Sequence, residues 1–429
     1  MSFPPIQHTG IFFSGYFTYD LDLINQKKFE SRFGYSNFFE SNKSYLSQKY
    51  YNNWLSTLYP DPNTLQNWGL EGFKSNHLVY RDESNEKFTI ETTDKKISFA
   101  IGKIEIFLFR EGLAIFSINV TIPGEFQNFN DISALTATLR NTIARDKDPV
   151  KNVLADVIEE KITPSFSNDP SSWRQYNPHL KLLLNIDVKE NFSDKSEWNN
   201  LLTELAMNIP PGTISSKGLY APSEKYSKQL FENNVIDVFN NWKAICLLDS
   251  LVRISVNLKE ADRFNLWETD YYNIYVFTSF IRFYLYLTNK KLSQSSNNIK
   301  ESAKLRNKFV IFMNDFDLSQ ISYKFLPNII YKNLLYSMEI KDELNRMEQK
   351  LRLIDTAVRE SQSRKTESFL KVIAFFPMLT IILSTVNLIK MQIYAEKDVS
   401  LNLIRLISVI VASFVFLIIL YIYLRQKKK

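Results

Sequence analysis

"SRKTESFLKVIAFF", residues 363–376, changes character midway along a segment that is predicted to be a single helix. Its first half is charged and polar, whereas no charged residue occurs from Val372 to Ile389. Proline, which interrupts helices, is absent between Pro327 and Pro377, and no glycine follows Gly218. The pattern predicts one long helix that begins in water and continues into lipid.

Two C-terminal segments are long and apolar enough to cross a membrane. Val372–Ile389 contains 18 residues without a charge and Leu406–Leu424 contains 19, close to the ~20 residues that cross a hydrocarbon core. A buried core helix is the alternative for either segment, but such helices rarely lack polar residues over this length. We therefore expect two transmembrane helices.

The distribution of basic residues predicts how these helices are oriented. Eight basic residues flank the pair of segments and three lie in the connector: Arg359, Arg364, Lys365, Lys371, Arg425, Lys427, Lys428 and Lys429 against Lys390, Lys397 and Arg405. Basic residues are retained on the cytoplasmic side. We expect a multi-pass protein of the cell inner membrane with both termini in the cytoplasm.

The polar half of the long helix carries a heptad pattern. Apolar residues recur at alternating spacings of four and three: Ile340, Leu344, Met347, Leu351, Ile354 and Val358. Such a seam is typical of coiled coils, but over two to three heptads it also fits packing within the same chain. Self-association and intrachain packing remain equal alternatives.

A second pattern on the first apolar segment indicates a pore. Two spans cannot enclose an aqueous path, so several copies would have to gather around one. Thr380, Ser384 and Asn387 fall at i, i+4 and i+7 and are predicted to line the pore. Ile373 and Phe376, nearer the cytosol, are predicted to form a hydrophobic gate. The alternative is that the hydroxyls bond to carbonyls of their own helix and that Asn387 reaches the headgroups.

The first 290 residues show the periodicity of strands in several places. Lys103–Ile122 predicts two strands joined by a hairpin turn at Arg110-Glu111-Gly112. His179–Val188 predicts another strand, and Trp242–Val256 predicts a further strand with a bend at Asp249-Ser250.

Helical segments alternate with these strands. Asp131–Arg145 and Lys195–Met207 have helical spacing, and Ser193 and Asp194 supply capping oxygens before the second of them. The aromatic segment Trp267–Leu292 contains acidic and basic residues, so it is predicted to be a core helix, with contact to a membrane surface as the alternative. The alternation fits an α/β layer and predicts a cytosolic domain of the α+β class.

Composition excludes several classes of function. Cys246 is the only cysteine and the chain has three histidines, so neither an intrachain disulfide nor a Cys/His zinc motif can form. The net charge of +6 is concentrated near the last seventy residues, which favours a membrane over DNA or RNA as the partner. The N-terminus lacks the features of a signal peptide, and no phosphate-binding glycine motif or catalytic motif occurs. We expect no enzymatic activity and no resident cofactor.

A small ligand is a further possibility, because gating requires a ligand that distinguishes two states. Basic residues lie close to aromatic ones at Trp173, Arg174 and Tyr176, and Arg253 lies near Arg263. These residues would suit a nucleotide, although scattered surface charge is the commoner explanation. The sequence assigns no ligand site.

The C-terminal third resembles the CorA-like divalent-cation transporters. "SRKTESFLKV", Ser363–Val372, is similar to the junction between stalk and first span in that family, and "RQKKK", residues 425–429, is similar to its basic tail. The resemblance implies a cytosolic αβα domain, a long stalk helix, two C-terminal spans and a homo-oligomer, a pentamer in this family. It also implies transport of a divalent cation, Mg²⁺, which would act as regulator as well.

The family's Gly-Met-Asn signature at the outer mouth is absent. Met391, Gln392 and Ile393 occupy about the position of that signature, beside Lys390. Lys390 and Gln392 are therefore the predicted outer-mouth residues. A ring of lysine ammonium groups would repel cations, so the ion that passes is left open.

These observations predict three parts of the chain and three possible roles. The parts are a sensory α/β domain at 1–290, a helical stalk at 291–371 and a pore domain with a basic tail at 372–429. The first role is a CorA-like ion channel or transporter. One alternative is implied by the resemblance, because some CorA-like proteins accompany type III CRISPR systems: a membrane effector of antiviral defence, gated by a nucleotide messenger such as an S-adenosylmethionine-AMP conjugate. The other alternative is a membrane-anchored binding protein.

Overall fold

The computed structural model of the protein describes residues 3–25, 32–80, 87–91, 96–123, 128–142, 153–217, 221–258, 265–295, 298–316 and 318–394. The chain divides into two compact units, residues 1–351 and 352–429. The predicted boundaries at residues 290 and 371 separate parts with different expected roles, and they remain predictions.

The first unit is built on one mixed sheet. Its described strands are β1 (Ile6–Thr18), β2 (Phe33–Tyr35), β3 (His77–Tyr80), β4 (Lys87–Glu91), β5 (Lys96–Phe109), β6 (Leu113–Thr121), β7 (Lys181–Val188), β8 (Val235–Phe239), β9 (Trp242–Leu247) and β10 (Ser250–Val256). The strand order is β2-β3-β5-β6-β1-β7-β10-β9-β8, and β4 pairs with β5. Among these strands β7 and β10 are parallel, and the other pairs are antiparallel.

The predicted hairpin is confirmed. Strands β5 and β6 pair in antiparallel register, with Phe109 opposite Leu113. The turn at Arg110–Gly112 contains two residues with positive φ, Glu111 at 66° and Gly112 at 72°. Glycine adopts that conformation without steric cost, which explains its place in the turn.

The segment Trp242–Val256 differs from the prediction of one bent strand. It forms the two strands β9 and β10, which reverse direction after Leu247 and pair antiparallel. Both strands are apolar and largely buried, so periodicity alone did not separate them. A polar pair, Asp249 and Ser250, lies at the reversal, where turn residues are favoured.

The described helices are α1 (Leu21–Asn25), α2 (Phe38–Lys49), α3 (Asn52–Leu58), α4 (Pro62–Asn67), α5 (Phe129–Leu139), α6 (Val153–Val157), α7 (Lys195–Met207), α8 (Thr213–Ser216), α9 (Glu224–Asn234), α10 (Asn273–Gln294), α11 (Ile299–Phe316), α12 (Phe325–Ser337) and α13 (Ile340–Tyr394). Helix α7 has the predicted bounds, and the Asp194 carboxylate accepts the backbone N–H of Ser196 at its N-terminus. Helix α5 covers most of the predicted segment as far as Leu139. The mixed α/β character of this region is therefore confirmed.

Most strands of the sheet are buried on both faces, because helices cover the sheet on both sides. On one face Phe13, Phe116 and Ile254 belong to a large apolar core that includes Leu135 of α5 and Leu202 of α7. The side chains that alternate with these point to the opposite face, where α10 lies.

Helix α10 confirms the prediction of a core helix in the segment Trp267–Leu292. Its residues Phe280 and Phe283 stack on Phe109 and Tyr16 of the sheet, with ring centroids 4.2 and 4.8 Å apart. A short π-helical segment, residues 265–272, precedes it. Packing against the sheet therefore explains the aromatic content of this segment.

A buried ion pair ties the π-helical segment to α2. Lys49 Nζ lies 2.6 Å from Asp270 Oδ1, and the Asp270 side chain has no exposed surface. The hydroxyls of Tyr50 and Thr269 also donate to this carboxylate, at 2.8 and 3.1 Å. Burial raises the pKa of Asp270, against the lowering effect of Lys49 and these donors.

The substitution Lys49→Met is expected to lower the free energy of unfolding by about 3 kcal/mol, because it leaves a buried carboxylate without its cation. Denaturant unfolding of the purified chain in detergent measures the change. The double variant Lys49→Met/Asp270→Asn should recover part of the loss, and Lys43→Met, whose side chain is 58% exposed, serves as control. Equal stability of the Lys49 and Lys43 variants would contradict the assignment.

Candidate functional site

The apolar half of α13 has large side chains exposed in the single chain. Phe369, Ile373 and Phe376 are 64%, 46% and 65% exposed, respectively. Among the described residues, this is the one helix long and apolar enough to cross a membrane, with a window of mean hydropathy 2.1 in which no residue is buried. Water is an unfavourable solvent for such a surface, so lipid or other protein must cover it.

The predicted gate and pore residues share one exposed face of α13. Ile373, Phe376, Thr380, Ser384 and Asn387 follow one another at spacings of three and four and are all exposed. The half-buried residues form another stripe, Val372, Phe375, Leu379 and Val386. At 3.6 residues per turn the two stripes lie about 110° apart around the helix.

Two details bear on the predicted pore stripe. The Thr380 hydroxyl donates to the Phe376 carbonyl at 2.9 Å, which is the alternative considered for the hydroxyls of this segment. The helix continues through Pro377. A proline leaves the carbonyl four residues earlier without its helical donor, here that of Ile373.

The other membrane predictions fall outside what the structure describes. Lys390 and Gln392 lie in the last turns of α13, but their side chains are not among those described. The predicted second span, Leu406–Leu424, lies outside the described residues. Its existence and the outer mouth therefore stay predictions.

The heptad seam is covered only along its first half. Ile340, Met347 and Leu351 are buried within the first unit, which matches the intrachain alternative for these positions. Ile354 and Val358 are half-buried. Self-association, if it uses this seam, has only its second half to use.

A basic cleft lies between α10, α11 and the β5–β6 hairpin turn. We call it the lysine cleft. Its volume is about 640 Å³, and it is lined by Glu111, Leu113, Tyr284, Leu287, Thr288, Lys291, Asn298, Lys300, Glu301, Lys304, Leu305 and Lys308. This volume is in the range of small-molecule sites.

The charges of the lysine cleft are unbalanced. Lys308 Nζ lies 2.8 Å from Glu111 Oε2. Within the part of the chain that the structure describes, Lys291, Lys300 and Lys304 have no carboxylate at ion-pair distance. Four lysines and two glutamates, Glu111 and Glu301, line the cleft, so its lining keeps a net formal charge of +2, which raises the local concentration of anions.

The floor of the lysine cleft is apolar and ordered by packing. Leu113, Tyr284 and Leu287 are 2%, 5% and 7% exposed. The Tyr284 ring stacks on Phe312 with centroids 3.7 Å apart. Burial raises the pKa of Tyr284 to about 12, so its hydroxyl stays protonated and can donate a hydrogen bond.

Asn289 connects the wall of this cleft to the start of α13. It follows the cleft residue Thr288 on α10, and its amide nitrogen donates to Glu343 Oε1 at 2.9 Å. Its amide oxygen accepts a hydrogen bond from Lys350 Nζ. A displacement of α10 at the cleft would therefore reach the first turns of α13.

A smaller cleft of about 360 Å³ lies beside the buried ion pair, with Tyr45, Phe239 and Phe325 on its rim. Its acidic residue, Asp270, is already paired with Lys49. This second cleft therefore offers an aromatic rim and fewer uncompensated charges than the lysine cleft.

The residues singled out by sequence as nucleotide contacts have structural partners instead. Trp173 is buried, and its indole N–H donates to Glu159 Oε1 at 3.2 Å. Arg174 bonds to the same carboxylate and donates to the Thr142 carbonyl at 2.7 Å. Glu159 is therefore the partner of the Arg174 guanidinium in this structure, and a nucleotide contact at these residues stays a prediction.

Arg253 is likewise part of the interior. Its side chain is fully buried on β10, and Nε donates to Asn185 Oδ1 at 2.9 Å. The guanidinium lies 5.6 Å from the Trp267 ring and 5.5 Å from that of Tyr271, so aromatic faces replace water around it. Burial lowers its pKa to about 10. Arg263 lies outside the described residues.

Neither metal binding nor cysteine chemistry finds support among the described residues. No group of three or more His, Cys, Asp or Glu side chains there is arranged to hold a metal ion. Cys246 is buried, and burial raises the pKa of its thiol, which disfavours the reactive thiolate.

Sequence reasoning missed the lysine cleft, although a signal was present. Lys300, Lys304 and Lys308 recur every fourth residue in "KESAKLRNK", which places them along one side of a helix. Lys291 and Glu111 come from other elements, and only the fold brings them to the same place.

Comparison with family models, with curated proteins and with solved structures found no match to this chain.

The substitution Asn289→Leu is expected to loosen the first turns of α13, because Glu343 and Lys350 each lose a partner. Amides in residues 340–351 should exchange about fivefold faster, the factor that corresponds to about 1 kcal/mol of lost hydrogen bonding. Hydrogen exchange followed by mass spectrometry measures this. Gln294→Leu, at the exposed end of α10, is the control, and equal rates in the two variants would remove Asn289 from this role.

Proposed function

We propose that this protein is the subunit of a CorA-like homo-oligomeric membrane channel, and that α13 lines the pore. The observation that carries the proposal is the exposed apolar half of α13, which directly continues a polar helical half. Such a helix is stable only when its second half is surrounded by lipid or by other copies. One copy has too few spans to enclose a path for ions.

The pore face is the stripe that runs from Ile373 to Asn387. Ile373 and Phe376 form a hydrophobic gate that closes by excluding water, while Ser384 and Asn387 offer polar groups to a passing ion. Thr380 keeps its hydroxyl bond to the helix and still presents its oxygen. The half-buried stripe of Val372 and Leu379 faces away from the pore.

Topology and assembly complete this proposal. The segment Leu406–Leu424 is the second span, and both termini lie in the cytoplasm of an inner-membrane protein, in agreement with the basic residues that flank the pair. The number of subunits is five, as the resemblance to CorA-like transporters implies. No catalytic step is part of this function.

The ion and its regulation distinguish two versions of the channel. A metal transporter would pass Mg²⁺ and close as cytosolic Mg²⁺ rises, as the resemblance implies. The alternative is a defence effector of type III CRISPR systems that opens on binding a nucleotide messenger. The lysine cleft favours regulation by an anion, because its uncompensated charges are positive. A membrane-anchored binding protein is the remaining alternative, and it requires no ring of subunits.

Flux into liposomes that contain the purified chain tests the proposal. Mg²⁺, K⁺ and Cl⁻ fluxes are compared with and without nucleotides, and the oligomer is sized in detergent. Mg²⁺ flux that falls as internal Mg²⁺ rises supports the transporter, and flux that requires a nucleotide supports the gated effector. Monomers without flux in any condition would refute the channel and favour the anchored binding protein.

The substitution Asn387→Leu is expected to reduce single-channel conductance on the order of tenfold, because it removes a polar group from the pore stripe. Planar-bilayer recording measures the conductance, and sizing in detergent checks that assembly is intact. Unaltered currents would exclude Asn387 from the pore.

The substitution Phe376→Ala is expected to raise flux in the absence of ligand on the order of tenfold, because the smaller alanine side chains widen the apolar ring, which then excludes water less well. Ile382→Ala is the matched control: Ile382 is also exposed but lies about 160° from the centre of the pore stripe. Liposome flux that rises equally in both variants would argue against a gate at Phe376.

A further inference from the structure

We propose that the lysine cleft binds a small phosphate-bearing anion. Binding at this site does not depend on the proposed function. Only the effect of the bound ligand on a channel rests on that function.

The arrangement of charge favours an anion with more than one negative charge. Lys300, Lys304 and Lys308 lie four residues apart on α11, and like charges at this spacing destabilise a helix. Lys291 of α10 adds a further cation from the facing wall, while Glu111 pairs with Lys308 and Glu301 is the other acidic residue of the lining, so a net positive charge remains. An anion seated between the lysines relieves this repulsion, and phosphate supplies several acceptor oxygens for ammonium donors.

The shape of the cleft favours a small molecule over a polymer. Its volume of about 640 Å³ exceeds that of a phosphate ion and is bounded by two helices and a turn. The buried floor at Leu113, Tyr284 and Leu287 is apolar, so a ligand with an apolar or ring portion as well as phosphate uses both the floor and the lysine rim. The Tyr284 hydroxyl donates to the Lys308 carbonyl at 3.5 Å, which places it beside the lysine rim.

The position of the cleft gives a bound ligand access to the stalk. Thr288 lines the cleft, and the adjacent Asn289 bonds to Glu343 and Lys350 in the first turns of α13. A ligand that contacts both α10 and α11 binds more tightly when the two helices are close together than when they are apart. That difference is the condition for a ligand to shift a conformational equilibrium.

Calorimetric titration of the full chain in detergent with sodium tripolyphosphate tests the site. The variant Lys300→Gln/Lys304→Gln is expected to bind about tenfold more weakly, because it removes two unpaired cations from the rim. The control Lys332→Gln/Lys341→Gln removes two exposed lysines that do not line the cleft, and its affinity should stay within about twofold of the unmodified chain. Binding should weaken as salt is raised.

Two results would overturn the proposal. One is an equal affinity of the unmodified chain and the cleft variant, including the absence of binding in both. The other is an equal loss in the cleft and control variants, which would mean that phosphate responds to overall charge. Circular dichroism of both variants checks that Lys→Gln changes leave the fold intact.

The phosphate could belong to a free molecule or to a lipid headgroup, and nanodiscs distinguish these sources. Tripolyphosphate binding in pure phosphatidylcholine nanodiscs supports a free ligand. Protection of α11 from hydrogen exchange that requires phosphatidic acid, and that the cleft variant loses, assigns the phosphate to a lipid. Either result supports an anion site in the cleft.

This test is separate from that of the channel. Binding that depends on Lys300 and Lys304 without ion flux would establish the site and refute the channel. If ions pass but the unmodified chain and its cleft variant bind tripolyphosphate equally, the site is refuted and the channel is not.

Discussion

The packing of α10 on the sheet is the interaction on which the first unit depends. Phe280 and Phe283 stack on Phe109 and Tyr16, and aromatic pairs of this kind add about 0.5–1.5 kcal/mol each beyond the burial of their surface. The rest of α10 carries the features that matter for function. One side forms a wall of the lysine cleft, and Asn289 bonds to α13. The position of both is therefore determined by the burial of one helix.

Buried charges give this contact its specificity. Arg253 lies in the interior between Trp267 and Tyr271, and Asp270 is held by Lys49 and Tyr50. Such groups add little net stability, because the cost of removing them from water offsets most of the attraction. A shift of the π-helical segment would leave Asp270 without its cation, however, and this penalty disfavours other positions of α10.

The second constraint is the exposed apolar surface of α13. Polar side chains and the fold of the first unit cover the helix up to Leu351, whereas Phe369, Leu370 and Phe376 are more than half exposed. In the proposed channel, lipid and neighbouring copies cover this apolar surface. The polar stripe at Ser384 and Asn387 then lines the aqueous pore. The lysine cleft lies in the other unit and gives such a channel a place where an anion can act on the stalk.

The sequence by itself determined the elements whose signals are local. The β5–β6 hairpin follows from alternation and a glycine in its turn, α7 from its capping aspartate, and the apolar half of α13 from the loss of charge after Lys371. The two strands β9 and β10 were merged, because a run that is buried on both faces has no periodicity to separate them. The sequence also left open whether the heptad seam packs within the chain or against another copy, because the burial of Met347 and Leu351 depends on which surface lies opposite them. The partners of Arg253 and Trp173 were open for the same reason. The lysine cleft joins Lys291, Lys304 and Glu111 from three elements, and distances between residues far apart in sequence arise only when the chain has folded. Local chemistry thus decided where these elements begin and which part of α13 is apolar, while tertiary packing decided which charges are paired.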